Sequence, residues 1–181
     1  MLSEVKSFTI SLYLNNKPGV LNRVALVFSR RGWNIDSLSV SPDEDGQFSH
    51  CSIVANGDET TLFKIVAQLN KLVDVIYARE HLVDNVVSRE LALIKVTCGP
   101  ERFHDLHGIL DAVLWKTVDE SLTTKTVEVV GTREIVNEMH EKLDRVLGVL
   151  EIVRTGAVAL AKGTANTGKP QACDLPSEMA S

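Results

Sequence analysis

A change of hydrophobic period between residues 8 and 28 constrains the fold of this chain most strongly. Up to residue 15 apolar and polar residues alternate, which is typical of a half-buried β-strand. The apolar members are Phe8, Ile10, Leu12 and Leu14. After Pro18 the apolar residues are spaced as on one face of a helix, at Val20, Val24, Val27 and Phe28. We therefore predict a strand over residues 8–14 and a helix over about residues 18–31 that ends at Gly32.

The rest of the first half predicts three more strands and one more helix. Residues 34–41 and 48–55 have strand composition and are joined by a turn-rich segment over residues 42–46. Asp58 can cap a second helix, whose apolar face carries Leu62, Ile65, Val66 and Leu69, and residues 73–79 form the last strand. The order βαββαβ indicates the α+β class, a ferredoxin-like unit with a four-stranded antiparallel sheet and two helices on one face.

The second half repeats this order. Residues 91–96 predict a strand, residues 99–100 open a helix, and strands follow near residues 117–118, where the pattern is weak, and residues 126–130. A constant offset of 74 residues relates the last helix and strand of each half: Gly57, Leu69 and Val75 match Gly131, Leu143 and Val149, and Thr132 matches the cap Asp58. We therefore expect two ferredoxin-like domains, over residues 1–84 and 85–162, and a flexible tail over residues 163–181.

Composition excludes several classes of function. The net charge of −5 and the pI of about 5.5 argue against nucleic acid as the main partner, because phosphate backbones select basic surfaces. No apolar run has membrane-spanning length, and the first residues do not resemble a secretory signal. The three cysteines, Cys51, Cys98 and Cys173, lack CxxC spacing. We expect a cytoplasmic protein in which Cys51 and Cys98 fill the core.

The turn between the first strand and the first helix is the strongest candidate site. A helix start exposes unpaired N–H groups and a partial positive charge, which favour a carboxylate. Pro18 is tolerated there, and Gly19 lets a ligand approach the backbone. Asn16 and Asn34 can each donate and accept, as binding of a zwitterion requires. The alternative is that Asn16 only caps the helix and Asn34 only turns the chain after Gly32, and the pattern alone leaves both open.

No group of residues has the spacing of a catalytic or metal centre. His104 and His107 share a predicted helix with Asp105 between them, but the further ligands that zinc requires are not evident. The sequence has no GxSxG elbow, no Walker loop and no GxGxxG fingerprint. The basic surroundings of RNA-binding ferredoxin-like domains and the CxxC loop of metal chaperones are also missing. We expect a small-molecule sensor without catalytic residues or a bound metal.

Several longer segments are similar to one family. Residues 16–24, NKPGVLNRV, and residues 28–38, FSRRGWNIDSL, closely resemble the ACT domain of the acetolactate synthase (acetohydroxyacid synthase) small regulatory subunit. The similarity continues through residues 68–75, QLNKLVDV, residues 89–96, RELALIKV, and residues 154–160, RTGAVAL. The Pro-Gly-Val-Leu element is common to ACT domains, whereas the Arg-Gly-Trp-Asn-Ile and Arg-Thr-Gly segments are much more specific to this subunit.

The resemblance implies a regulatory chain that does no chemistry itself. Such a chain binds the large catalytic subunit of acetolactate synthase, raises its activity, and conveys feedback inhibition by a branched-chain amino acid, usually valine. Thiamine diphosphate, Mg²⁺ and FAD are expected in that partner, and no cofactor is expected in this chain.

The resemblance also implies a homodimer whose ACT domains pair edge to edge, with two effector sites at the interface. Asn16, Gly19, Val20 and Asn34 would hold the charged end of the effector, and Leu21, Asn22 and Ile35 would shape the pocket. Two alternatives stay open: a free-standing amino-acid sensor without a catalytic partner, and a small enzyme acting alone, which the lack of cofactor-binding motifs disfavours.

Overall fold

A computed structural model describes residues 6–81 and 86–163. The chain divides into two compact units, of which the second spans Ser88–Ala157 and the first contains the residues before it together with the last short strand. The predicted boundary near residues 84–85 lies outside the described residues, as does the predicted tail beyond residue 163. None of the described helices has the length and apolar character needed to cross a membrane.

The first unit has the predicted βαββαβ order. Its strands are β1 (Lys6–Asn15), β2 (Ser37–Pro42), β3 (Phe48–Gly57) and β4 (Val75–His81), and its helices are α1 (Val20–Ser29) and α2 (Glu59–Leu69). The strands lie in the order β2-β3-β1-β4, and each neighbouring pair is antiparallel. The ferredoxin-like α+β prediction is therefore confirmed, and β2 and β4 are the edge strands of this sheet.

The alternation along β1 places its apolar side chains against the two helices. Ile10, Leu12 and Leu14 are buried in one cluster with residues of both helices, namely Val20, Val24 and Phe28 from α1 and Leu62, Ile65 and Leu69 from α2. Each such side chain stabilises the fold by roughly 1.5–3 kcal/mol on burial. Asp58 caps α2 as predicted, because its Oδ1 accepts the Thr61 N–H at 2.6 Å.

The second half repeats this architecture. It contains β5 (Val86–Thr97), a short 3-10 helix (Pro100–Arg102), α3 (Phe103–Leu110), β6 (Leu114–Glu120), β7 (Thr124–Gly131), α4 (Arg133–Leu147) and β8 (Val149–Arg154). The order β6-β7-β5-β8 reproduces the first sheet, and the pairing of each first strand with each last strand shifts register at corresponding places, at Tyr13/Leu14 and at Lys95/Val96. Thr132 caps α4 by accepting the Ile135 N–H at 3.4 Å. The internal repeat is confirmed.

Several elements differ from the prediction, and β2, predicted from residue 34, begins only at Ser37. β6 has seven residues, and nearly all of them are exposed, so its pairing with β7 rather than an apolar pattern defines it. A fifth strand, β9 (Val158–Ala161), pairs with β5 and was not predicted. α1 begins at Val20 because Gly19 is its N-cap, and it already ends at Ser29.

The two described cysteines are buried and form no disulfide, as predicted for core residues. Burial raises the pKa of the Cys51 thiol to about 12. It also raises the pKa of Cys98. Neither thiol is therefore an activated nucleophile.

Candidate functional site

Backbone hydrogen bonds fix the turn between β1 and α1 to its neighbours. The Asn15 N–H donates to the carbonyl of Asp74, and the Asn16 N–H donates to the carbonyl of Gln47, both at 2.8 Å. Within the turn, the Lys17 N–H donates to the carbonyl of Asn15 at 3.0 Å. These bonds tie the turn to the start of β4 and to the β2–β3 hairpin, so the chain enters α1 in a defined direction.

Gly19 stands at the start of α1 in a conformation that favours glycine. Its φ is +84° and its ψ is −7°, in the left-handed region. No atom lies within 4 Å of the place where a Cβ would stand, and no side chain caps the helix here. The helix start is thus open on the side of Gly19.

The first turn of α1 leaves amides available. The Val20 N–H makes a 3.3 Å bond to a turn carbonyl, and the Arg23 N–H bonds the carbonyl of Gly19 at 3.2 Å. Within the described residues, no bond is donated by the N–H of Leu21 or Asn22. Unpaired amides at a positive helix end favour an anion. The side chain of Val20 is buried in the core, so Val20 can contact a ligand only through its backbone. The side chains of Leu21 and Asn22 are exposed.

Asn16 does not cap the helix. Its Nδ2 donates to the carbonyl of Gly46 at 2.9 Å, in the hairpin between β2 and β3. The alternative in which Asn16 serves as the N-cap of α1 is therefore wrong. The bond instead places the Asn16 carboxamide near the C-terminal end of β2.

Asn34 lies in the loop between α1 and β2, as part of a chain of polar contacts. Its Nδ2 donates to Asp36 Oδ1 at 3.2 Å, and Asp36 Oδ2 accepts the Nδ2 of Asn56 at 2.5 Å. The left-handed residue of this loop is Gly32, with φ of +69°, so Asn34 does not turn the chain through its own backbone. Ile35 packs partly against the core. The contact with Asn56 was missed because it joins segments distant in sequence.

The predicted site residues lie in two places within one chain. The group from Asn16 to Asn22 follows the end of β1, where Asn15 pairs with Phe48, whereas Asn34 and Ile35 precede β2, whose first residue pairs with Val54. Phe48 and Val54 are six positions apart along β3, which is about 20 Å at 3.3 Å per residue. One chain therefore does not bring all seven residues around one cavity.

An aromatic cluster lies on the sheet face opposite the helices, and its polar partner, Asp43, was not predicted. Tyr13 stacks on Phe48 and Tyr77 with ring centroids 5.0 and 5.9 Å apart. Its hydroxyl donates to Asp43 Oδ2 at 2.8 Å. Burial, together with this bond, raises the pKa of Tyr13 to about 12. The same bond lowers the pKa of the Asp43 carboxyl. The cluster fixes the hairpin next to Asn16.

One histidine of the predicted pair on α3, His107, packs against an aromatic ring. The ring of His107 lies edge-on to that of Trp115, with centroids 4.9 Å apart. Asp105 pairs with Arg102 at 3.2 Å. Over residues 6–81 and 86–163, no group of three or more His, Cys, Asp and Glu side chains is placed to hold a metal ion.

Two family models match the chain, one on each half. The AHAS small subunit-like ACT domain matches residues 10–77, and the small subunit of acetolactate synthase matches residues 89–163. Together these matches include all or part of every element from β1 to β9 and leave residues 78–88 between them.

Relatives and a solved structure extend the similarity over most of the chain. The chain is 39% identical over 168 residues to the acetolactate synthase small subunit of Mycolicibacterium smegmatis, covering 93% of this chain and 98% of that one. It is 38% identical over 155 residues to the probable acetolactate synthase small subunit of Archaeoglobus fulgidus, covering 86% and 96%. The crystal structure of the acetolactate synthase small subunit from Thermotoga maritima superposes with a TM-score of 0.78 at 34% identity, over 88% of this chain and 99% of that one. This chain belongs to the acetolactate synthase small-subunit family.

Proposed function

We propose that this chain is a non-catalytic regulatory subunit that activates the large subunit of acetolactate synthase and conveys feedback inhibition by a branched-chain amino acid, with valine as the first candidate. The observation that carries the proposal is the open start of α1 at Gly19, where backbone amides have room for a ligand. The thiamine diphosphate, Mg²⁺ and FAD of the reaction belong to the large subunit. The complex works in the cytoplasm.

The chemistry of the two groups of residues suits an α-amino acid. The amides of Leu21 and Asn22 receive the carboxylate, because the helix end favours negative charge. The carboxamide of Asn34 and the carboxylate of Asp36, which lie in hydrogen-bond contact, offer acceptors for the ammonium. The exposed side chain of Leu21 supplies an apolar wall for a branched side chain.

A second copy of the chain completes the site. β2 is an edge strand, so its outer backbone groups are open to another strand. Asn34 precedes the first residue of β2, and Asn16 bonds Gly46 beyond its last residue. When two β2 strands pair antiparallel about a twofold axis, the Asn34 end of one copy meets the Asn16 end of the other, and this happens twice. The dimer thus brings together groups that a single chain keeps apart.

Inhibition then requires a difference in affinity. Valine must bind the low-activity arrangement of the complex more tightly than the active one, since a ligand with equal affinity for both shifts nothing. A site shared by two copies provides such a difference when the copies move relative to each other.

The substitution Gly19→Asp tests the site. A carboxylate at this position faces the carboxylate of the ligand, so we expect valine affinity to fall by about tenfold or more while activation of the large subunit is kept. Gly19→Asn is the matched control, because asparagine and aspartate both tolerate a positive φ and only aspartate is charged. Valine inhibition is measured on the reconstituted complex, and valine binding is measured by calorimetry on the isolated chain.

Unchanged valine sensitivity in Gly19→Asp, or an equal loss in Gly19→Asn, removes the site assignment. The alternative function, a free-standing amino-acid sensor, predicts that the chain neither binds nor activates a large subunit. A pull-down with the large subunit, followed by measurement of its turnover, separates the two functions.

A further inference from the structure

A groove on the helical side of the first unit carries a concentration of positive charge. It has a volume of about 450 Å³ and lies between α1 and the end of α2, where it is lined by Arg23, Leu26, Val27, Arg30, Arg31, Gln68, Lys71 and Leu72. None of the predicted effector residues lines it. The groove is therefore a separate feature of the same unit.

Four cationic side chains line this groove, and its lining contains no carboxylate. Arg23 pairs with Asp74 at 2.7 Å, at the edge of the groove. Arg31 lies over the ring of Trp33, 5.9 Å from its centroid. Arg30 and Lys71 make no ion pair with any residue that the structure describes. Among the described residues, Arg30, Arg31 and Lys71 thus have no neutralising carboxylate, in a chain whose net charge is −5.

The cations surround exposed apolar surface. Leu26 is 37% exposed, and Val27 and Leu72 are half-buried. Arginine beside aliphatic side chains is typical of protein interfaces, where the apolar part gives affinity and the charges select and orient the partner. The folding of the unit does not need these side chains to be charged, because α1 and α2 bury other residues in the core.

We propose that this groove docks an acidic segment of the acetolactate synthase large subunit, with an apolar side chain of that segment against Leu26 and Leu72. The inference rests on the proposed function, since it names the surface by which the chain holds its partner. The groove and the effector site lie on the same helix, α1, so a partner held at the groove is next to the element that starts at Gly19.

Charge reversal in the groove tests the proposal. The variant carries Arg30→Glu with Lys71→Glu, since neither side chain forms an ion pair with a residue that the structure describes. The matched control carries Lys64→Glu with Arg145→Glu, which changes the charge equally at exposed positions outside the groove. Affinity of each full chain for the separately purified large subunit is measured by calorimetry at low and high salt, and thermal unfolding shows that each variant folds.

We expect the groove variant to bind the large subunit at least about tenfold more weakly than the original chain, and the control to bind within about threefold of it. High salt should lower the affinity of the original chain more than that of the groove variant. Valine binding to the isolated groove variant stays unchanged. Equal affinities of the groove variant and the control for the large subunit overturn the proposal. If the original chain also binds pyrophosphate while the variant keeps its affinity for the large subunit, the groove is a site for small anions and the proposal is likewise overturned. If the original chain binds no large subunit, the proposed function itself fails, which is a different result.

Discussion

The turns that follow the first strand of each unit differ in whether the space at the helix start is occupied. In the first unit Gly19 is left-handed, and nothing lies within 4 Å of its missing Cβ. In the second unit Gly99 has φ of −77°, and a Cβ there would stand 2.6 Å from Oε1 of Glu101. The chain's own carboxylate thus fills the second turn. A repeated scaffold has one turn open to a ligand and one closed.

The two units also differ in the residue that pairs with the first strand next to each turn. In β3 the residue paired with Leu14 is Ser49, and in β7 the residue paired with Val96 is Lys125. Lys125 is 1% exposed, and its Nζ lies 2.5 Å from Glu120 Oε1. The second unit buries a charge there and pairs it with a carboxylate of its own chain, whereas the first unit buries only the hydroxyl of Ser49. The strand beside the second turn therefore carries a buried ion pair that the first unit lacks.

The largest expected effect tests whether the two scaffolds are equivalent. Leu69 and Leu143 correspond in the repeat, and each is 0% exposed. Each change to alanine should lower the stability of its own unit by about 2–5 kcal/mol, because it leaves a cavity in the core. Trp33 lies in the first unit and Trp115 in the second, so single-tryptophan backgrounds report on each unit in urea unfolding. A change that leaves its own unit unaffected would show that the repeat is one of topology and not of packing.

A smaller effect on stability is expected from substitutions on the sheet faces that do not contact the helices. Tyr13 and Lys95 occupy corresponding positions at the register shifts. Tyr13 is buried and its hydroxyl donates to Asp43, whereas Lys95 forms a solvent-exposed ion pair with Glu151 at 3.5 Å. Tyr13→Phe should cost about 1 kcal/mol near pH 7 through loss of the hydrogen bond to the carboxylate. Lys95→Gln, the control, should cost less than about 0.5 kcal/mol because exposed ion pairs contribute little. Both are measured by urea unfolding.

The cost of Tyr13→Phe has a pH window. The pKa of Asp43 is lowered in the fold, so the contribution of this bond is present above the usual aspartate pKa of about 3.9 and is lost as the pH falls through the folded value. The pKa of Tyr13 is raised, so the contribution is present below a pH of about 10 and is lost as the pH rises towards 12. A cost that does not shrink at low pH would assign the effect to packing instead.

The smallest expected effect is on ligand binding. Gly99→Asp places a carboxylate at the second turn as Gly19→Asp does at the first, and the nearby end of the Glu101 side chain can move away. We expect no more than about a twofold change in valine inhibition, because the second turn receives no ligand carboxylate. Loss of inhibition in Gly99→Asp would mean that both turns bind an effector and that the contrast between them is false.

Local patterns were sufficient for most of the fold. Alternation and helical spacing predicted the βαββαβ order, and the caps Asp58 and Thr132 are the residues that the offset picked out. The extent of β6 was not predicted, because an exposed strand has no apolar alternation. Its residues are defined by their pairing with β7. The sequence predicted candidate site residues, which stay a prediction, but not their separation into two groups within one chain. The partner of Asn16 lies 30 residues away, and the separation of Asn34 from Asn16 depends on the pairing of β1 and β2 with distant positions of β3, which no local pattern shows.

In the proposed dimer, the placement of Asn16 and Asn34 near opposite ends of β2 would make feedback depend on the amount of protein. A pocket that takes one wall from each of two copies links effector capture to self-association in a single equilibrium. A bound amino acid would then draw the copies together, and dilution would release it even at a constant concentration of the amino acid. Sensitivity to the end product would be set by gene expression as well as by metabolism, with scarce protein responding least.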